Sequence, residues 1–537
     1  MKNKIHKTGR AFIIALLFFV FTVVPAAADA GEEYTRKLFN FAELETLYKQ
    51  DILSAPLKEK LEHLLTTPFV DNSAPRDNAV LSLSQSTKLG EFLRVAQWNI
   101  ERGLEYEAIE AAFVSEERFA AILNAEKFPP GSRERLEILQ QAALLRAADV
   151  IILNEVDWGM KRTEYRNIAA DLARNLRMNY AFGVQFVELS PVHLSQNQKP
   201  ADKREAEITG IVKVDPELYK GLHGVAILSR FPLENVRLAP FKHQPYDWFK
   251  GEKKGASMIE KGKRELSSRI FLEETLREVR RGGRTTLLAE IADPRFPEGR
   301  VTVAATHLEN RTKPSHRQIQ LKELLGTIED ISHPVILAGD MNTSTTDLTP
   351  TSIRRELMKR LGNPKFWIKT GVNYWLGFGL IEDFLMNSVT FGRTQSDPTV
   401  RSLPLVAPNP ERKFFQTLEN FRFSDGGAFD FRGEPTRSTG EKSKSLSNSN
   451  ERGRKGFVTT YQVPRPIFFV GKFKLDWIFV KPAALKTNSE RRESYRFAPH
   501  FGRTLTAVNE AVENRISDHR PLLVDLPLGE PLLNGNN

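Results

Sequence analysis

Val335-Ile336-Leu337-Ala338-Gly339-Asp340-Met341-Asn342-Thr343 is the stretch whose reading decides the fold. Four apolar residues predict a short buried strand, and a glycine, an acid and an amide follow directly at its end. The same grammar recurs outward from it along the chain. Val95–Trp98, Val150–Leu153, Val225–Leu228, Thr286–Ile291, Val301–Thr306, Leu475–Val480 and Leu522–Leu526 are further short runs of strand-forming residues. Helical patterns fall between several of them, as in Arg133 to Ala148 and Arg317 to Ile331. Strands alternating with helices predict a layered α/β core.

Polar residues concentrate where these strands end. Asn99 and Glu101 close the first, Glu155 and Asp157 the second, and His307 and Glu309 a later one. Asp340 and Asn342 follow Val335–Ala338, Asp476 opens a strand, and Asp518 and His519 precede the last one. A rigid sheet aims such side chains into one crevice. Acidic and amide oxygens suit a hard divalent cation such as Mg²⁺, which takes one or two carboxylates and keeps several waters. Glu155 is the leading ligand candidate, with Asn99, Glu101 and Asp518 as companions. Histidines beside acids suit proton transfer and stabilisation of a charged transition state. An aspartate–amide pair such as Asp340 and Asn342 can orient a water for attack on phosphorus. Read singly, each residue has an ordinary alternative: Asn99 as a turn cap, His307 as a hydrogen-bonded core histidine, Asp340 and His519 as turn residues.

In conjunction and in this order, the signatures WNIERG, NEVD, GVAILSR (Gly224–Arg230), THLE, GDMN and SDHRP resemble those of the endonuclease/exonuclease/phosphatase superfamily. That fold is shared by pancreatic-type deoxyribonucleases, AP endonucleases, neutral sphingomyelinases and inositol-polyphosphate 5-phosphatases. The resemblance spans about Arg94 to Leu526 and implies a four-layer α/β/β/α sandwich of two packed mixed sheets flanked by helices. It implies that Asn99, Glu101, Glu155 and Asp518 bind metal, Mg²⁺ with Mn²⁺ as a substitute. It further implies that Asp340 and Asn342 position the nucleophilic water, that Asp476 orients the catalytic His519, and that His307 assists the leaving group. The implied reaction is metal-assisted attack of water on a phosphate ester without a covalent intermediate. A histidine at 307, with no tyrosine in Thr285-Thr286-Leu287-Leu288-Ala289-Glu290, resembles the deoxyribonuclease and sphingomyelinase branches. The signatures of the 5-phosphatases are absent.

Composition agrees with a large folded hydrolase. The 537 residues are 40% hydrophobic with 35 Phe and 6 Trp, which excludes global disorder. The absence of cysteine excludes disulfides, thiolate metal sites and cysteine nucleophiles. Lys2, Lys4, Lys7 and Arg10 precede the uncharged run Ala11 to Val24, and Pro25 and Ala26-Ala27-Ala28-Asp29-Ala30 follow. This is the pattern of a secretory signal cleaved near Ala30-Gly31, so export to the periplasm or outside the cell is expected. The apolar run is shorter than the roughly 18 residues a bilayer span needs, and no membrane span is expected in the mature chain. Cleavage reduces the formal charge of +10 to +7. A basic mature surface favours anionic partners.

The expected organisation is therefore a signal at 1–30, a mainly helical extension at 31–92 and a catalytic domain at 93–530. Insertions are expected at 242–284 and 387–470. The first has 12 basic and 7 acidic residues and reads as a solvated charged helix or as a contact for a polyanion. The second contains the Ser/Lys/Gly/Asn-rich piece Thr436–Gly456, which reads as a solvated loop. The cluster Phe366, Trp367, Tyr374, Trp375 and Phe378 reads as core or sheet-edge cover. Asp157 is read as a loop residue, Glu309 as a surface or supporting residue, His316 and His333 as structural, and His223 is left undecided. The expected substrate is a phosphodiester, with nucleic acid favoured because the chain is basic and both histidines are present. A sphingomyelinase-like action on phospholipid, a phosphomonoesterase and a catalytically silent binding module on the same fold are the alternatives.

Overall fold

The computed structural model describes residues 38–75, 83–190, 214–253, 278–343, 412–432, 435–437, 439, 452–453, 456–467, 470–485, 494–513 and 515–532. The expected signal, the Phe366–Phe378 cluster and most of Thr436–Gly456 lie outside them. The elements below all belong to one unit, Phe39–Asn537.

Two sheets form the centre. The first is built from β1 (Phe69–Asp71), β2 (Ser84–Ser86), β3 (Gly90–Arg102), β4 (Val150–Trp158), β5 (Asn179–Glu188) and β6 (Leu222–Ser229). Together with β8 (Arg280–Gly282), β17 (His500–Thr504) and β18 (Leu522–Pro527), they take the order β1-β5-β6-β4-β3-β18-β17. β2 joins the side of β3, and β8 the side of β5. The second sheet contains β7 (Leu233–Pro240), β9 (Thr285–Ala292), β10 (Arg300–His307), β11 (Val335–Asp340) and β16 (Asp476–Lys481), in the order β16-β11-β10-β9-β7. Both are mixed: β3–β4 and β10–β11 run parallel, and the other main pairs antiparallel. Two hairpins, β12 (Arg452–Gly453) with β13 (Gly456–Phe457) and β14 (Tyr461–Ile467) with β15 (Val470–Phe473), stand apart from the sheets.

Alternation along each strand explains the layering. Val95, Val150, Ile152, Val225 and Ile227 of the first sheet share one core with Leu287, Ala289, Val303, Ala305, Ile336, Ala338, Ile478 and Val480 of the second. The alternate residues of the second sheet, Leu288, Ala304, Leu337 and Phe479, face the other way. They pack on α8 (Pro314–Ile328) through Leu321, Leu324, Leu325 and Ile328, and on α9 (Arg412–Asn420) through Phe414, Phe415 and Leu418. Helices also cover the first sheet, where α6 (Ile168–Leu176) packs on β4 and β5. The result is the expected four-layer α/β/β/α sandwich.

Three stretches differ in detail from the sequence reading. The sheet starts before residue 93: β1 pairs with β5, and β2 with β3. Within 387–470, α9 is core, because its phenylalanines and Leu418 fall on one helical face. Each end of 242–284 contributes buried side chains: Trp248 lies among aromatic and arginine side chains, and Val279 is fully covered. Among the described residues, no helix is long and apolar enough to cross a membrane.

Candidate active site

The polar strand ends meet on one rim of the sandwich. β3 and β4 run parallel and in register from Val95–Val150 to Asn99–Asn154, so their polar ends emerge together. β10 and β11 do the same, and His307 stands opposite Asp340. The backbone turns sharply there: Glu101, Arg102, Glu155 and Asn342 have φ of 48°, 69°, 54° and 47°. Non-glycine residues adopt this left-handed region at a cost of about 1–3 kcal/mol each. Side chains hold the turns in place. Asn99 Oδ1 accepts the Glu101 N–H at 3.1 Å, and Asp340 Oδ1 accepts the Asn342 N–H at 2.8 Å.

Beneath the rim, buried amides bolt the two sheets together. Asn154 Nδ2 donates to Thr306 O at 2.9 Å, while its Oδ1 accepts the Asp340 N–H at 2.9 Å and Gln97 Nε2 at 3.1 Å. Gln97 Nε2 also reaches Asp476 Oδ1 at 3.1 Å. The sequence reading gave Gln97 and Asn154 no role, although a polar residue inside a buried apolar strand is itself a signal. Asn154→Leu would orphan the Thr306 carbonyl and the Asp340 amide and remove one acceptor from Gln97. At about 1–3 kcal/mol for each unsatisfied buried group, the expected loss is about 3 kcal/mol or more, read from urea unfolding. An unchanged midpoint would remove Asn154 from this role.

Asp340 is the centre of the site. Its Oδ2 accepts Asn99 Nδ2 at 3.2 Å and lies 3.4 Å from His307 Nε2 and 3.7 Å from His519 Nε2. His519 Nδ1 is 2.7 Å from Asp476 Oδ2. The His519 ring packs against Tyr461 at 4.9 Å between centroids, and its carbonyl accepts Trp98 Nε1 at 2.9 Å. Thr460 Oγ1 accepts the N–H groups of Leu475 and Asp476, so the end of the expected second insertion braces this pair. Asn342 Nδ2 faces His307 Nε2 at 3.1 Å and donates to Leu308 O at 2.9 Å.

The two imidazoles are pushed in opposite directions. Burial depresses His307 well below the usual range, and the positive charges of Arg284, His223, His519 and Arg280 add to this. Burial also acts against a charged His519, but Asp476, Asp518 and Asp340 outweigh it and raise its pKa well above the usual range. Burial, with the nearby charges of Asp476 and Glu155, pushes Asp340 up to about 7 against the lowering pull of His519. His519 therefore carries a proton at neutral pH and His307 does not.

The expected metal ligands are also brought together. Asn99 Nδ2 is 3.3 Å from Glu155 Oε1, and Glu101 Oε2 accepts the Asp518 N–H at 2.8 Å. Burial, followed by the like charges of Asp518 and Glu155, pushes Glu101 up to about 8. Crowded, half-buried carboxylates of this kind fit a hard divalent cation by donor type and by charge. Among the described residues, the acidic and histidine side chains whose ligand atoms lie within 4.8 Å of one another are those of Asp340, Asp476 and His519. There the Asp476–His519 hydrogen bond already engages one donor of each partner, whereas Glu101, Glu155 and Asp518 offer three carboxylates that do not meet within that distance.

The structure corrects the reading of Asp157, gives His223 a partner and places Glu309 as a supporting residue. Asp157 is a buried β4 residue, bound to Arg162 at 2.6 Å and to His223 Nδ1 at 2.8 Å. His223 thereby forms a second histidine–aspartate pair, brought to the rim because β6 lies beside β4. Glu309 is buried and accepts Trp248 Nε1 at 3.0 Å. All nine predicted site residues lie on this one rim or directly beneath it.

A two-sheet sandwich carrying buried carboxylates and a histidine–aspartate pair on one rim defines a layered α/β phosphoesterase. The chain belongs to the Endonuclease/Exonuclease/phosphatase family, whose profile matches residues 96–519. Solved structures similar to it include an endonuclease/exonuclease/phosphatase from Beutenbergia cavernae, with 18% identity, 82% of this chain and 72% of that chain covered, and a TM-score of 0.36. An AP endonuclease from Archaeoglobus fulgidus shows 12% identity, 81% and 99% coverage and a TM-score of 0.34. The 3′-5′ exonuclease NExo from Neisseria meningitidis shows 12% identity, 81% and 99% coverage and a TM-score of 0.35. Among curated proteins, none matches the chain. Enzymes of this family hydrolyse phosphate esters, typically with a divalent metal ion.

Proposed function

We propose that this chain is an exported, Mg²⁺-dependent phosphodiesterase acting on nucleic acid. The observation that carries this reading is the convergence of His307 Nε2 and His519 Nε2 on one oxygen of Asp340, at 3.4 and 3.7 Å. Glu101, Glu155, Asp518 and Asn99 are the residues to hold Mg²⁺, with Mn²⁺ as a substitute. The ion would neutralise phosphate oxygens and stabilise charge that develops on them. Asp340 and Asn342 hold the attacking water, and Asp340 is tuned to accept its proton near neutrality. The His519 cation, fixed by Asp476, faces the negative charge that grows during attack. A neutral imidazole is a weak proton donor, so the leaving-group proton is assigned to the His519 cation, whereas the family resemblance assigns it to His307.

The basic mature chain, with a formal charge of +7 once residues 1–30 are removed, supports a polyanionic substrate. The test is a panel of plasmid DNA, RNA, sphingomyelin vesicles and p-nitrophenyl phosphate with Mg²⁺ or EDTA. DNA or RNA cleavage lost in EDTA is expected. Headgroup release without nucleic-acid cleavage would replace this reading by the phospholipid one. Export predicts a mature N terminus near Gly31 in the extracytoplasmic fraction, and an uncleaved cytoplasmic chain would contradict it.

A further inference from the structure

Arg102, Arg280 and Arg284 form a second charged group beside the rim. Arg102 follows Glu101 at the end of β3 and stands opposite Val156. Arg280 stands opposite Glu188 on β8. Arg284 immediately precedes β9, whose Thr286 stands opposite Thr306 next to His307. All three charges reach the catalytic groups: Arg284 and Arg280 help to depress His307, and Arg102 and Arg284 hold Glu155 down against the effect of burial.

Among the described residues, few carboxylates lie within ion-pair distance of these guanidiniums, although Glu155 and Glu188 act on Arg102, and Glu188 on Arg280, from further off. A single carboxylate, Glu278, serves both Arg102, at 2.7 Å, and Arg280. Arg284 comes no closer than 3.5 Å to Glu309, which already accepts Trp248 Nε1. The neighbouring Arg162 is fully engaged by Asp157 and Glu188, and Arg311 pairs with Glu252, so neither belongs to this group. The Nε atoms of Arg280 and Arg284 are buried, with no hydrogen-bond partner among the described residues. Aromatic faces hold the guanidinium planes: Arg280 lies 3.8 Å over Trp248 and 4.6 Å over Phe186, and Arg284 lies 5.3 Å over Phe186. Unpaired buried N–H groups on stacked arginines form a cradle that a phosphate would satisfy, with fork-shaped donors matching its oxygens.

We propose that Arg102, Arg280 and Arg284 form an anion pocket that takes a second phosphate group of the substrate, beside the phosphate being hydrolysed. The proposal rests on the reading of the rim as a phosphoester site and deepens it: the substrate carries at least two phosphates. The chemistry is shared by the backbone of a polynucleotide and by a phosphorylated lipid headgroup.

The test is calorimetric binding to the full chain in EDTA at low salt, with no turnover involved. Thymidine 3′,5′-bisphosphate is compared with thymidine 5′-monophosphate, and glycerol 1,3-bisphosphate with glycerol 3-phosphate. A bisphosphate preference of about tenfold or more is expected in the wild-type chain. Arg280→Gln and Arg284→Gln should each reduce that ratio towards one, and Arg284→Lys should restore part of it. Preference in the nucleotide pair alone supports the pocket with a polynucleotide source, and preference in both pairs supports it with phosphate spacing alone being read. A wild-type ratio near one overturns the proposal without relying on any variant, as does a ratio unchanged in both glutamine variants. A retained preference in a chain that hydrolyses nothing in the panel would leave the pocket standing and remove the hydrolase. Hydrolysis without preference would do the reverse.

Discussion

His519→Ala is expected to lower kcat by about 10²- to 10⁴-fold, since one positioned acid–base or charge-stabilising group contributes about that much. Among the described residues, no other imidazole beside Asp340 carries a proton. His307, the other imidazole beside Asp340, is held neutral by burial and by surrounding positive charge. Asp476→Asn should reproduce most of the loss with the imidazole still present. The Asp476 carboxylate fixes His519 Nδ1 at 2.7 Å and is among the main charges that keep the ring protonated. The asparagine variant should also shift the basic limb of the kcat profile to lower pH, because the imidazolium loses its nearest stabilising charge. Both variants are to be measured on the best substrate of the panel, with circular dichroism confirming the fold. A kcat within threefold of wild type in His519→Ala would exclude this residue from the chemistry.

Gly339→Ala is expected to cost about 3 kcal/mol or more, read as a lowered urea midpoint or as loss of soluble protein. Gly339 adopts φ of 145°, and a Cβ there would lie 1.8 Å from the Thr306 carbonyl oxygen and 3.2 Å from Asn154 Oδ1. The obstructing atom is backbone in the neighbouring parallel strand, so no side chain can rotate away to relieve the contact. Relief requires β10 and β11 to part, and that would also separate His307 from Asp340. Stability and catalysis should therefore fall together. A soluble alanine variant with the wild-type unfolding midpoint would show that the strands accommodate the methyl group.

Much of this was legible in the sequence because burial and alternation leave a direct trace. Val150–Leu153 and Val335–Ala338 each lie within an observed strand, and the functional residues fall at the strand ends. The reading passed over β5, whose Asn179, Gly183 and Gln185 interrupt any apolar run, although every residue of the strand is buried. It also passed over β7, in which only Leu233 and Leu238 are buried. β5 becomes a strand because β1 and β6 flank it and pair its backbone, which composition does not record. Asp157 failed for a related reason. Its partners Arg162 and His223 are brought to it by a short helical turn and by a neighbouring strand.

By itself, the sequence determined the layered class, the strand ends that bear chemistry and the kinds of donor gathered there, since residue type and period follow from local burial. Tertiary structure alone decided that His307 and His519 meet at one oxygen of Asp340, that they differ in charge, and that Arg280 Nε and Arg284 Nε have no hydrogen-bond partner among the described residues. Those properties depend on distances between residues far apart in the chain and on the loss of water around them, and both are set only when the two sheets close on each other.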